Sequence, residues 1–216
     1  MSASQDPLII SGMLENNAQH KDRVRAYLDG IIAEREEHAK FMNMLSMLEH
    51  MGSRKIMVSQ MHKGETLTED TLKHLAEEAR HAYFFKRQAE RAAQRSLDGW
   101  VEENTTARVP ALMYFGRMDA GISKIVGNDA AYGWVSLIIE LRACWLYSIY
   151  QEALEASDYQ LSLKSLIAEE DGHLEEMFEM CGDNHERLRE LSAFETQLFE
   201  KLWVQIENDV QIKAAA

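Results

Sequence analysis

Residues 134–150, WVSLIIELRACWLYSIY, are almost wholly apolar, yet Glu140 and Arg142 stand near their middle. A helix that is apolar on every side has to be buried among other helices. An ionised carboxylate carried into such a core costs roughly several kcal/mol, or takes up a proton, unless the fold compensates it. The compensating partner is an ion pair, a shared proton or a metal ion. A membrane span is not expected, because spanning helices need about 20 apolar residues and seldom tolerate Glu and Arg at the centre.

The rest of the chain supplies the helical core this stretch requires. At 216 residues and 46% hydrophobic content the chain can bury one sizeable core, so a single domain over 1–216 is expected. Two prolines, abundant Ala, Leu, Glu and Met, and no run of period-two alternation predict an all-α fold. The net charge of −13 argues against general nucleic-acid or anionic-membrane binding, which need a positive footprint. In FFKRQAERAAQR, however, Lys86, Arg87, Arg91 and Arg95 fall on one helical face, either a local basic patch or a solvated helix end. The opening MSASQDPLII lacks a basic n-region and a long apolar h-region, which predicts a cytoplasmic protein. Cys144 and Cys181 show no CxxC or Cys/His zinc spacing and read as reduced thiols.

Periodicity and punctuation place four core helices at about 21–51, 67–96, 131–155 and 160–181, with a fifth at about 185–210. Gly52 is read as the C-cap of the first, and Thr66 with Glu69 as a capping box opening the second. Residues 53–66 are left as a connector. Gly99, Pro110, Gly116, Gly121 and Gly127 predict a broken crossing over 97–130, holding a short helix near ALMYFGRM. Short connections between helices one and two and between three and four, with a long one between two and three, give a four-helix bundle with one crossover. The fifth helix, with Leu188, Leu191, Phe194, Leu198, Leu202 and Ile206 on one side, should cover the bundle or a second copy, so a homodimer is expected.

Within the fourth helix, SLKSLIAEEDGHLEEMFEMC, the inward stripe runs Leu163, Leu166, Ile167, Leu174, Met177 and Cys181, with Glu170 and His173 at its centre. These two form Glu-x-x-His, an i, i+3 pair aimed to one side. HLAEEARHAYFF repeats the motif with Glu78 and His81. One such tetrapeptide is a weak signal, but two, each following a helix with an inward carboxylate, are specific. Glu140 is that carboxylate for the second pair, since it lies about as far before the turn near 156 as Glu170 lies after it. In EREEH the apolar series 27, 31, 34, 38, 41, 45, 48 favours Glu34 over Glu37. Four carboxylates and two imidazoles from four helices match the set that holds two metal ions in ferritin-like carboxylate proteins. Such ligands, without thiolate, suit iron or manganese rather than structural zinc. A metal-free polar network is the bland alternative.

The chain resembles the ferritin-like di-iron carboxylate superfamily over its four core helices, about half the sequence. LIIELRACW and SLIAEEDGH are similar to the third- and fourth-helix segments of the tRNA hydroxylase family acting on a methylthio-isopentenyl-adenosine, and AEEARHAYFF to its second-helix motif. The resemblance implies metal ligation by Glu34, Glu78, His81, Glu140, Glu170 and His173, with Glu78 and Glu170 bridging. It implies two iron ions, with manganese as the alternative, and catalysis supported by Glu34, Glu78, Glu140 and Glu170. Expected partners are O2, an organic substrate and an external electron donor; a tRNA substrate and a ferroxidase role are the alternatives. Cys144 and Tyr147, beyond Glu140 on the same helix, are second-sphere or core-filling groups. One departure is visible: Glu34 to Glu78 spans 44 residues against 30 from Glu140 to Glu170.

Overall fold

A computed structural model describes residues 7–61 and 68–214, with side chains placed over 17–59 and 68–209. Among the described residues every regular element is helical: α1 Pro7–Ala33, α2 Arg35–Met61, α3 Glu69–Ala93, a 3-10 turn Glu102–Asn104, α4 Arg108–Val126, α5 Asn128–Glu155, α6 Lys164–Cys181 and α7 His185–Ala214. The all-α expectation holds. The chain divides into two compact units, one of Met1–Ile32 with Gly116–Lys201, the other of Ala33–Phe115 with Leu202–Ala216.

In the unit built around α5 and α6, α5 is buried at nearly every position from Ala131 to Leu154, as its apolar composition demands. The α5–α6 turn is closed by Gln151, whose Oε1 accepts from Leu163 N at 2.6 Å and so satisfies a donor at the start of α6. Gly133 lets α6 approach, because a Cβ there would lie 3.0 Å from Met180 Sδ and 3.2 Å from Cys181 Sγ. Arg142 is compensated by Glu195 of α7: Nε donates to Oε1 at 2.8 Å and Nη2 to Oε2 at 2.6 Å. Nη2 also donates to Asn17 Oδ1 of α1 at 2.8 Å, and the Phe199 ring lies 3.9 Å from the guanidinium carbon. Paired, forked and covered by an aromatic face, this cation meets the conditions under which a buried charge is tolerated.

In the other unit α2 packs on α3, and Phe41, Met42 and Leu45 of α2 and Phe85 and Ala89 of α3 are closed to solvent. Ser46 Oγ donates to Ala82 O at 2.8 Å, tying the two backbones. Thr68 caps α3 by accepting from Thr71 N. The stretch after α3 is stitched down by Asn43, whose Nδ2 donates to Asn104 O at 2.9 Å, and by Lys86, whose Nζ donates to Leu97 O at 2.6 Å. Asp209 Oδ2 accepts from Ala107 N at 3.2 Å, just before α4.

Three sequence expectations are corrected. The first helix, placed at about 21–51, is two: α1 ends at Ala33, Glu34 lies in a bend, and α2 runs through Gly52 to Met61. Ala33, Glu34 and Arg35 are all good helix formers, so nothing local announces the break. It is held instead by tertiary contact, the Arg35 Nε and Nη2 both donating to Ala92 O near the end of α3. The capping residue of α3 is Thr68, while Thr66 lies outside the described residues. The crossing holds a full helix, α4, because Pro110 falls in its first turn, where no intrahelical donor is lost.

Candidate metal centre

Glu140 on α5 and Glu170 and His173 on α6 are all buried. α5 and α6 pack on each other, as the near-equal distances of Glu140 and Glu170 from their turn require. Glu170 and His173 are almost fully closed to solvent, at 1% and 2% exposure, and Glu170 Oε2 lies 3.0 Å from His173 Nδ1. That separation serves a hydrogen bond. It also equals the spacing of two adjacent ligand atoms each about 2.1 Å from one ion.

In the unit of α2 and α3, Glu78 and His81 are buried on the inner face of α3, as the Glu-x-x-His reading expects, while the neighbouring Glu77 is half-buried. Two further buried groups join them. His74, one turn before Glu78, places Nε2 at 3.7 Å from Glu78 Oε1. Glu49 of α2 places Oε2 at 3.9 Å from His81 Nδ1. Both separations lie between the roughly 3.0 and 4.2 Å spanned by adjacent and opposite ligands of one ion. Gly52 is interior to α2, and a Cβ added there would meet Glu78 Oε2 at 2.5 Å, so its missing side chain makes room for the carboxylate. The Gly52 reading as a C-cap is thereby replaced by a packing reason.

Glu34 is exposed in the bend and does not stand with the buried set; Glu37 is half-buried and holds Lys40 Nζ at 2.7 Å. The buried carboxylate of α2 is Glu49. The signal that could have found it was the unequal spacing noted above: from Glu49 to Glu78 is 29 residues, against 30 from Glu140 to Glu170. Glu49 also continues the α2 stripe one turn beyond Leu45. His74 was overlooked because it lies outside the repeated tetrapeptide.

The other singled-out groups are supporting. Burial first, then the Glu170 and Asp171 carboxylates, push the Cys144 thiol far above its usual range, so it stays protonated, 3.8 Å from Asp171 Oδ1. Burial pushes Cys181 up to about 12, and both cysteines are free. Tyr147 is buried. Within the basic set, Lys86 is spent on loop carbonyls and Arg95 on Asn104 Oδ1 and Glu36 Oε2, leaving Arg87 and Arg91 exposed.

Each unit thus holds buried His and Glu side chains that can bind a metal ion. The donors are oxygen and nitrogen, with no thiolate among them, as hard or borderline cations prefer. No described helix is long and apolar enough to cross a membrane. No family model, curated protein or solved structure matches the chain.

Proposed function

We propose that the two sets of buried ligands act together as one dinuclear centre in a ferritin-like four-helix bundle, and that the protein is an oxygen-activating oxidoreductase acting on an organic substrate. One set, Glu49, His74, Glu78 and His81, lies on α2 and α3, and the other, Glu140, Glu170 and His173, on α5 and α6. The observation that carries this reading is the repeated order of a buried Glu followed about 30 residues later by a buried Glu-x-x-His. Four carboxylates, Glu49, Glu78, Glu140 and Glu170, bring a charge of about −4 that two divalent ions would neutralise, which answers the desolvation cost raised by Glu140.

A pair of iron ions, with manganese as the alternative, would supply the electrons that reduce O2 and the oxidising power that attacks the substrate. The chain's part is to hold and to exclude. Glu170 and His173, converging from one helical turn, fix two ligand atoms before any ion arrives, which lowers the ordering cost of binding. Burial keeps bulk water from the ligands and strengthens their electrostatic hold on a cation.

The test is metal analysis of protein purified under argon, followed by its optical spectrum on admission of O2. Two irons or manganese ions per chain and a transient absorbance quenched by a substrate are expected. Many irons per chain would favour iron storage, and a native protein with no affinity for either metal would overturn the reading. Glu49→Ala should lose metal while Glu34→Ala keeps it; the opposite pattern would return the first-helix ligand to the bend.

A further inference from the structure

The two Glu-x-x-His motifs are not equivalent. One turn before Glu78, α3 carries His74, 3% exposed and with Nε2 3.7 Å from Glu78 Oε1. One turn before Glu170, α6 carries Leu166, equally buried and without a donor. An imidazole in an apolar stripe costs free energy of burial unless it is partnered, whereas leucine at the same place is favourable. A chain that uses leucine at one of two matching positions and histidine at the other is spending burial on something specific to α3.

We propose that His74 is a metal ligand, which makes the two positions of the centre chemically unlike. This deepens the reading above and rests on it. The set on α2 and α3 then has two imidazoles, His74 and His81, with two carboxylates, Glu49 and Glu78, while the set on α5 and α6 has one imidazole, His173, with two carboxylates, Glu140 and Glu170. Imidazole is the softer donor and suits cobalt, iron and zinc better than it suits manganese, while carboxylate oxygen suits manganese and magnesium. The first position should favour the later divalent ions, and the second should tolerate the earlier ones. Loading with two different metals follows from that difference rather than from any difference in size.

The experiment is titration of the full chain with Co(II) under argon, read by visible absorbance and by calorimetry, for the native protein, His74→Leu and His74→Gln. Leucine reproduces the α6 arrangement, and glutamine keeps a hydrogen-bonding side chain of similar reach. Native protein should bind two Co(II) in distinguishable steps. Either variant should weaken one step by at least about tenfold and leave the other within about twofold. With Mn(II) in place of Co(II), the loss at that step should be smaller. Two unchanged steps in a folded His74→Gln protein, judged by circular dichroism, would overturn the assignment of His74 and leave the centre standing. So would equal loss of both steps, which would make His74 a support of the whole site. Native protein that binds no Co(II), Mn(II) or Fe(II) would overturn the centre itself.

Discussion

The pairs α2/α3 and α5/α6 carry buried carboxylates and a Glu-x-x-His on nearly equal spacing, but set them in different material. α5 is closed to solvent almost all round, and its one buried cation is matched by a carboxylate from α7 at 2.6 and 2.8 Å. α2 has a more polar interior: His38, Asn43 and Ser46 are buried along it, and Gly52 leaves space beside the Glu78 carboxylate. On α5 the glycine that admits a close approach, Gly133, serves Met180 and Cys181 instead. One pair therefore handles burial by a matched ion pair within an apolar helix, and the other by neutral polar groups and shape. Sensitivity to lost charge should lie with the first pair, and sensitivity to protons and to added volume with the second.

The largest effect should come from Glu195→Ala. Removing one partner of a buried ion pair strands the other, at a cost of about 3–5 kcal/mol. In a chain of this size each kcal/mol shifts the midpoint by about 2–4 °C, so thermal unfolding should move down by roughly 10 °C. Arg142→Leu combined with Glu195→Leu should recover most of that loss, because neither charge is then buried alone. A cost below about 1 kcal/mol for Glu195→Ala would erase the contrast between the two pairs.

Acid should strike the other pair. Burial lowers His38 from 6.5 to about 4, so the folded chain disfavours the protonated ring. The sign follows from linkage: the unfolded chain binds the proton more readily, so this contribution is complete above pH 6.5 and is lost as pH falls from 6.5 towards 4. The loss amounts to about 3 kcal/mol over that window. Denaturant unfolding of native protein and His38→Leu at pH 7 and pH 4.5 isolates it, and the variant should show the shallower dependence. Parallel pH profiles would place the acid sensitivity elsewhere.

How much of this could be read from sequence follows the same division. Glu140 was legible because a single acid among Ile, Leu and Trp has to be compensated inside the fold. The α3 and α6 motifs were legible because helical spacing alone puts each Glu and His on one face. The bend at Glu34 was not, since it depends on Arg35 reaching Ala92, 57 residues away. Without the bend, Glu34 falls in the middle of an apparently continuous stripe, while Glu49 stands close to a glycine that resembles a helix end. The same glycine misled twice, because Gly52 stops nothing and is needed where Glu78 comes near. Composition could announce helix over 97–130 only weakly, as a proline in a first turn and glycines inside a helix look identical to breakers until the boundaries are known.

Gly52→Ala separates stability from ligand geometry. Alanine in a helix interior is favoured over glycine by about 1 kcal/mol, which opposes the cost of moving the Glu78 carboxylate away from a Cβ at 2.5 Å. The net change in unfolding free energy should therefore stay within about 1 kcal/mol. Metal affinity should fall, because Glu78 is displaced from its place beside His74. Gly133→Ala, whose new Cβ meets only sulfur side chains, should leave metal affinity unchanged. Equal metal loss in the two variants would mean that the two glycines act through general packing.

The smallest effect is expected at the ends of the two motif helices, which differ in sign: α3 continues from His81 into Lys86, Arg87 and Arg91, whereas α6 continues from His173 into Glu175, Glu176 and Glu179. A basic helix end could serve a nucleic-acid backbone only if its charges were available. Lys86 is bound to loop carbonyls and Arg95, itself exposed, to Glu36, which leaves Arg87 and Arg91 as the exposed cations of that set outside these contacts, in a chain of net charge −13. Two phosphate contacts give a shallow salt dependence, with a slope of about −2 or less against log salt. Arg87→Glu with Arg91→Glu should accordingly leave metal content unchanged, alter stability by no more than about 0.5 kcal/mol, and make no difference to tRNA retention on a filter at about 150 mM salt, where the native protein should retain none. Tight retention by native protein that is steeply salt-dependent and abolished by this reversal would make the α3 end a docking face and put the tRNA-modifying reading ahead of a small organic substrate.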